Sequence, residues 1–291
     1  MYKKRVVYFL FLLISLFSCK KGKEAENPQK GEIQVVADPS FKNVTEALAE
    51  RYMAFYPEAK LDVVYKKEDS AFIDLLDGNA RVIVMSRELT KKEKEVYKEK
   101  VDLEYNPAKF AGDAVVFVVP KNSSREHIKV SEIKEMLNSD DKNLIFDGAN
   151  ASNLNFIAQK FQVKPSALKY SIIKGNENIV NSIDKFNNKI GVISLNTISR
   201  EFSPEAIASL REKVKVLPVM DDKGKIYKPE LSNIRNMEYP FSRILYFLTN
   251  EGFFGVGNGF IRFSCTQIGQ IVVSKQGLQP YNIYKREVQM R

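Results

Sequence analysis

From Ile33 onward the apolar positions of this chain switch repeatedly between short β-type runs and a helical spacing. Ile33-Gln34-Val35-Val36-Ala37 predicts a strand, Asp38-Pro39-Ser40-Phe41 a loop, and Val44, Ala47, Leu48, Tyr52 and Phe55 one face of a helix that Pro57 stops. A second strand follows at Leu61 to Tyr65, a short helix at Ser70 to Leu76, and a third strand at Arg81 to Met85. Thr90 with Glu93 three residues on predicts a capping box, in which two orphan amides of a helix start are satisfied reciprocally. Strands alternating with helices in this order predict a parallel α/β sheet.

Ala114 to Val119 is a continuous apolar run ended by Pro120, as expected of a strand covered on both faces or passing between lobes. Beyond it the pattern predicts a helix from Val130 to Leu137, a strand at Asn143 to Phe146, a polar loop from Asp147 to Asn153 and a helix from Leu154 to Phe161. Ile190 to Ser194 and Val214 to Val219 read as strands, Tyr239 to Leu248 as a turn plus a strand, and Phe260 to Lys275 as one amphipathic helix closing at Gly277. Gly255-Val256-Gly257-Asn258-Gly259 lacks the Lys-Ser/Thr ending of a phosphate-binding P-loop and the spacing of a dinucleotide fingerprint, so a flexible turn is expected there.

The first residues differ in kind. Lys3, Lys4 and Arg5 precede an uncharged run from Val6 to Phe17, and Leu16-Phe17-Ser18-Cys19 closes it. The run falls short of the roughly 20 residues that a spanning helix needs, and its basic start and small-residue end are those of an export signal. The ending resembles a bacterial lipobox, which implies removal of residues 1–18, lipid on Cys19, and a domain anchored to membrane on the periplasm-facing side of the envelope. A plain signal peptide or an uncleaved anchor would deliver it to the same side. Residues 19–30 are polar, with Gly22 and Pro28, and read as a flexible tether.

Composition narrows the function. With 291 residues, the exported part suits two lobes better than one small core. Lys3, Lys4 and Arg5 carry three of the nine net positive charges, and the remaining +6 is interleaved with acids, as in Lys91-Lys92-Glu93-Lys94-Glu95. No basic stripe with stacking aromatics is present, so no nucleic-acid partner is expected. With Cys19 used by the lipobox, Cys265 stands alone, and His127 is the single histidine. Disulfide frameworks, thiolate or imidazole metal sites, cofactor-bearing signatures and nucleophile–base pairs all lack members, so neither an enzyme nor a cofactor is expected.

Candidate chemistry sits at three strand-to-helix junctions: Asp38 to Phe41, Ser86 to Thr90, and Gly148 to Asn153. In a parallel sheet such junctions lie at the carboxyl ends of strands, where helix starts present unpaired N–H groups and a positive dipole end, which suits a small oxyanion. Ser40, Ser70, Ser86, Asn150, Ser152 and Asn153 are the candidate donors, though each serves equally as an ordinary helix cap. Arg87, just past a strand end, could grip two oxygens of an anion or pair internally with a carboxylate.

The stretches Ala37-Asp38-Pro39-Ser40-Phe41, Tyr56-Pro57-Glu58-Ala59-Lys60, Ser86-Arg87-Glu88-Leu89-Thr90, Gly112-Asp113-Ala114-Val115 and Phe146-Asp147-Gly148 occur in a telling order. Tyr239-Pro240-Phe241-Ser242-Arg243 and Gly257-Asn258-Gly259-Phe260 through Gly277-Leu278-Gln279-Pro280 complete it. From Ile33 to Tyr281 the chain resembles the extracytoplasmic phosphate-binding proteins of the Pst ABC transport system, in particular their Bacteroidetes-type lipoprotein branch. That resemblance implies an α/β, type II periplasmic-binding-protein fold. It has two lobes, residues 31–114 with 243–291 and residues 115–242, joined by crossing strands at Val115 to Val119 and Ser242 to Leu248.

The same resemblance implies a monomer that holds phosphate or a similar oxyanion in its cleft and passes it to an ABC permease. Ser40 with Phe41, and Ser70, match ligand positions of the family. The third-strand position holds Ser86 and Arg87. The loop arginine of the family is replaced around Asp147, and the family's Ser-Gly-Thr reads Ala151-Ser152-Asn153 after Asn150. Asp38 and Asp147 are placed to accept the proton of monohydrogen phosphate, which sulfate lacks. Loss of a hydroxyl at Ala151 also leaves room for a second reading, an anchored interaction or scaffold lipoprotein whose ligand site has degenerated.

Overall fold

The computed structural model describes residues 26–186, 188–200 and 205–284. The export signal, Cys19 and the tether as far as Ala25 lie outside the described residues. The chain then runs β1 (Lys30–Ala37), α1 (Lys42–Phe55), β2 (Glu58–Tyr65), α2 (Glu68–Leu76), β3 (Val82–Met85) and α3 (Lys91–Val101). β1 pairs in parallel with β2 and β3, the register placing Val35 beside Val63 and Val82. This is the alternation that the apolar pattern predicts, and the Thr90–Glu93 capping box forms as expected. Val35, Val36, Val82, Ile83 and Val84 are all buried because helices cover both faces of the sheet.

Next come β4 (Ala108–Pro120), β5 (Ile128–Lys129), α4 (Val130–Met136), β6 (Leu144–Phe146), α5 (Ser152–Lys160), β7 (Ser171–Ile172), α6 (Asn176–Ser182) and β8 (Ile190–Ser194). The chain finishes with α7 (Glu205–Lys213), β9 (Val214–Leu217), β10 (Val219–Met220), β11 (Ile226–Tyr227), α8 (Leu231–Arg235), β12 (Ser242–Thr249), α9 (Val256–Cys265), α10 (Gln267–Lys275) and β13 (Gln279–Pro280). One continuous path of strands, β2-β1-β3-β12-β4-β8-β6-β7, runs through the molecule.

The apolar core divides along that path. One cluster draws its members from Ala114 to Phe241, and two others from Ile33 to Ala111 together with Leu245 to Leu278. The part built on the latter two is called here the first lobe, and the part built on the former the second. β4 belongs to both: Ala108 to Ala114 pair with β12, whereas Val115 to Pro120 pair with β8 and β9. A strand with no solvated face explains its unbroken apolar run. β12 pairs mostly in the first lobe and reaches the second only at its start, where Ser242 pairs with Ala114. That start and the turn before it make the second connection, where Val115 N donates to Phe241 O at 3.0 Å.

Four further expectations are corrected. The single helix from Phe260 to Lys275 is two, because Thr266 takes an extended backbone and its hydroxyl caps α10 by accepting from Gly269 N. Gly255 to Gly259 is no flexible turn: α9 starts at Val256, and the buried Glu251 carboxylate accepts from Gly257 N and Asn258 N, both at 2.8 Å. A Cβ on Gly257 would lie 2.6 Å from Glu251 Oε1, so glycine permits that close cap. The strand at Val214 to Val219 breaks into β9 and β10 at Pro218, which has no N–H to continue the ladder. The last residues of the tether are docked: Glu26 pairs with Arg81 at 2.8 Å, and the Tyr52 hydroxyl donates to Pro28 O. Among the described residues no helix is long and apolar enough to cross a membrane.

Candidate functional site

Asp38 follows β1, and its extended backbone turns the carboxylate over the one-turn 3-10 helix Pro39–Phe41, where Oδ1 accepts from Ser40 N at 3.0 Å. Oδ2 accepts from Glu68 N, the first residue of α2, and from Ser152 N, the first residue of α5, each at 3.2 Å. α2 lies in the first lobe and α5 in the second, so helix starts from both halves deliver amides and positive dipole ends to one buried point. That convergence is the geometry an oxyanion requires. The chain's own carboxylate stands in it.

Side-chain donors surround that point. Ser40 Oγ accepts from Asn176 Nδ2 at 2.9 Å and from Asn153 Nδ2 at 3.4 Å, leaving its hydroxyl proton to donate elsewhere. Asn153 Nδ2 also donates to Asn176 Oδ1 at 2.9 Å. Ser152 Oγ and Asn153 Oδ1 are buried without a hydrogen-bond partner among the described residues. Buried polar atoms are nearly always paired, so these two mark the site as one built for something polar. Ala151, also buried, serves only as the extended residue before α5, its carbonyl accepting from Asn155 N.

Two more carboxylates face the same space. Glu68 Oε1 accepts from Ser86 N at 2.6 Å and from Ser86 Oγ at 2.8 Å. Burial, helped by nearby Asp38, pushes the Glu68 carboxyl up to about 7 against the pull of Arg87 and Ser86. Asp147 is buried on the second lobe and pairs with Lys67 of the first at 2.6 Å, across Gly148, whose φ of +146° and missing Cβ let the lysine lie against the loop. Burial first and Asp38 second raise the Asp147 carboxyl, and Lys67 opposes them.

The Glu68 shift has a consequence for stability. Between the ordinary glutamate value of 4.5 and about 7 the native chain holds a proton that the unfolded chain has lost. Stability therefore falls as pH rises through that window and is level above it, by about 1.4 kcal/mol per pH unit for one such group. Melting curves between pH 5 and 8 are expected to decline more steeply for the native chain than for Glu68→Gln. Parallel curves would show that Glu68 titrates normally.

The cations do not fall where the sequence pattern placed them. Arg87 is spent within the first lobe: Nη2 lies 2.7 Å from Glu93 Oε1 and 3.0 Å from Asp69 Oδ1, and Nε 3.6 Å from Glu68 Oε2. The internal pairing is the outcome realised. Arg243, absent from the candidate residues, takes the deeper position. Its guanidinium stacks 4.8 Å from the Phe41 ring, reaches toward Ser86 Oγ at 3.5 Å, and is held by Asp113 through Nε at 2.8 Å and Nη2 at 2.7 Å. A lone charge in the apolar strand Ser242–Thr249 was the available signal.

Two other expected ligands are displaced. Ser70 is exposed, because α2 starts two residues earlier than the pattern suggests and turns it to solvent, with Glu68 facing inward instead. Asn150 is exposed with φ at +58°, a turn residue in the left-handed region that asparagine tolerates. Asp38, Ser40, Phe41, Ser86, Ala151, Ser152, Asn153 and Asp147 are brought together and buried. Glu68, Asn176 and Arg243 join them. Two cavities flank the cluster between the lobes, one of about 200 Å³ beside Ser40, Lys42 and Asn176, the other of about 440 Å³ beside Asp69, Arg87 and Asn155.

Known proteins share this fold. A family model described as a PBP superfamily domain matches residues 22–267. A curated relative, the phosphate-binding protein PstS of Staphylococcus haemolyticus, is 24% identical over 76% of this chain and 72% of its own. A phosphate ABC transporter substrate-binding protein of Clostridium perfringens, solved with bound phosphate, superposes with a TM-score of 0.70 at 19% identity, covering 87% of this chain and all of that one. An ABC-type phosphate transport receptor of Vibrio cholerae superposes at 0.64 with 16% identity over 86% of this chain and 100% of that one. The resemblance read from the sequence motifs is borne out by these relatives, and the two-lobe α/β fold by the superpositions.

Proposed function

Since the chain belongs to the PBP superfamily, we propose that it is an extracytoplasmic solute-binding protein that captures inorganic phosphate, or a similar protonated oxyanion, for import by an ABC permease. The observation that carries this reading is the meeting of α2 and α5 amides, Ser40, Ser152 and Asn153 at one buried point between two lobes. Residues 31–114 with 243–291 and residues 115–242 are the moving bodies, hinged on β4 and the turn at Phe241. Closure removes water from the anion and strengthens each hydrogen bond to it. Capture and release need no chemical step, so the protein acts as a monomeric receptor and not as an enzyme, with Cys19 lipidated to hold it at the membrane.

Two buried carboxylates select the ligand. Asp38 and Asp147 repel a fully ionised dianion, whereas monohydrogen phosphate offers a proton that either can accept. Calorimetric titration of the chain is expected to show binding of phosphate and little response to sulfate. Equal binding of both anions would remove the carboxylates from the selection.

One observation favours the second reading, a scaffold lipoprotein with a degenerate site: Asp38 already accepts the α2 and α5 amides, and Arg87 is consumed by Glu93 and Asp69. Thermal unfolding separates the two. A ligand bound only by the folded state raises the melting temperature, by an amount that grows with its concentration. A transition that phosphate leaves unmoved would favour the scaffold.

A further inference from the structure

We propose that Phe55, Phe253 and Phe254 form a membrane-seating face on the first lobe, an aromatic and arginine patch that enters the lipid headgroup layer. These rings are among the most exposed large apolar side chains, at 44%, 53% and 53%. Each lies under a guanidinium: Arg51 is 4.8 Å from the Phe55 centroid, Arg81 5.3 Å from Phe253 and Arg262 5.8 Å from Phe254. Arg51 and Arg262 are exposed, and among the described residues neither stands in an ion pair. Rings at the acyl boundary with arginines reaching lipid phosphates is the arrangement that interfacial segments use. The loop is held in place, since Asn258 Nδ2 donates to Glu251 O at 3.1 Å and to Phe253 O at 2.7 Å.

The docked arm decides which occupant this face meets. Glu26 is bound by Arg81, the same arginine that covers Phe253, and accepts from Val256 N at 3.3 Å. Asn27 and Pro28 line one cavity of about 520 Å³ with Phe254 and Arg262. The chain toward Cys19 therefore leaves the lobe beside the patch. From Cys19 to Glu26 the sequence spans seven peptide units, which reach at most about 25 Å when extended. Lys20, Lys21 and Lys23 lie within that span and add attraction to anionic headgroups. A lipid on Cys19 thus holds this face against the bilayer and turns other faces away from it. The inference rests on the lipidation of Cys19 proposed above.

The chain contains no tryptophan, so Phe253→Trp and Phe254→Trp each give a single probe. The full chain, carrying its native lipid, would be reconstituted in phosphatidylethanolamine and phosphatidylglycerol vesicles with brominated acyl chains. Ile226→Trp, exposed on the second lobe, is the reference. The expected result is a blue-shifted emission and a loss of intensity for the two loop probes and none for the reference, with Arg262→Glu weakening the loss. A chain whose intact mass shows lipid on Cys19, yet whose loop probes behave like the reference, overturns the proposal. So does quenching that needs a co-reconstituted permease, which would assign the patch to a protein. If the mass shows no lipid and the probes stay unquenched, the patch is likewise rejected. Phosphate titration of the same variants reads the cleft separately, so its failure is not confused with that of the patch.

Discussion

Replacing Asp113 with alanine is expected to destabilise the protein by about 3–5 kcal/mol, the scale for removing one partner of a buried ion pair. Both side chains of the Asp113–Arg243 pair are fully buried. Asp113 Oδ2 also accepts from Ser194 Oγ at 2.9 Å, and Oδ1 from Asn196 N at 3.3 Å. Asp113 lies on the first-lobe half of β4, whereas Ser194 and Asn196 belong to the second lobe, so the carboxylate ties the hinge as well as the charge. Without it Arg243 is a buried cation left with the Phe41 and Phe156 rings and a long contact to the Ser86 hydroxyl. Urea unfolding should show a lower midpoint with an unchanged slope, and Asp113→Leu combined with Arg243→Met should regain much of the loss, since two apolar groups leave no orphan charge. A single-site loss below about 1 kcal/mol would mean that water or another acid solvates Arg243, contrary to its burial.

Ser152→Ala is expected to separate binding from folding. Ser152 Oγ has no partner among the described residues, so its loss breaks no hydrogen bond there and removes a buried unsatisfied group. Stability should stay within about 0.5 kcal/mol of the native value. A hydrogen bond to a charged ligand contributes about 1.5–3 kcal/mol, so phosphate affinity should fall roughly ten- to hundredfold. Calorimetry with chemical denaturation of the same sample reads both. Unchanged affinity would show that the hydroxyl does not touch the anion and would move the site toward Asn176 and the smaller cavity. Ser40→Ala is a less clean test, because Ser40 Oγ also accepts from Asn176 and Asn153.

These two residues show how unevenly the sequence exposes function. Ser152 was legible as a candidate because serine beside asparagine in a polar loop after a buried strand is a recognisable helix start. Asp113 and Arg243 were not, since they lie far apart in sequence and only strand pairing between β4 and β12 sets Arg243 against Asp113. Glu68 was missed for a local reason. The pattern began its helix at Ser70, and a two-residue error in a helix boundary turns a side chain about 200° around the axis. That slip exchanged a buried carboxylate for an exposed hydroxyl. Gly255 to Gly259 misled in the opposite direction, as glycines that permit close packing were read as freedom of the backbone.

The order of strands and helices and the amide-rich junctions were determined by the sequence itself, because apolar periodicity and cap chemistry act over a few neighbouring residues, and the two-lobe plan was implied by the family resemblance of its motifs. Which charges face the cleft was decided only by the tertiary structure. Arg87 is withdrawn by Glu93, six residues along the chain, and by Asp69 in α2, Arg243 is brought in by a strand from the far end of the chain, and Asp38 reaches amides 30 and 114 residues away. Long-range pairing of charges depends on which surfaces are desolvated together, and burial of that kind exists only once the lobes have packed.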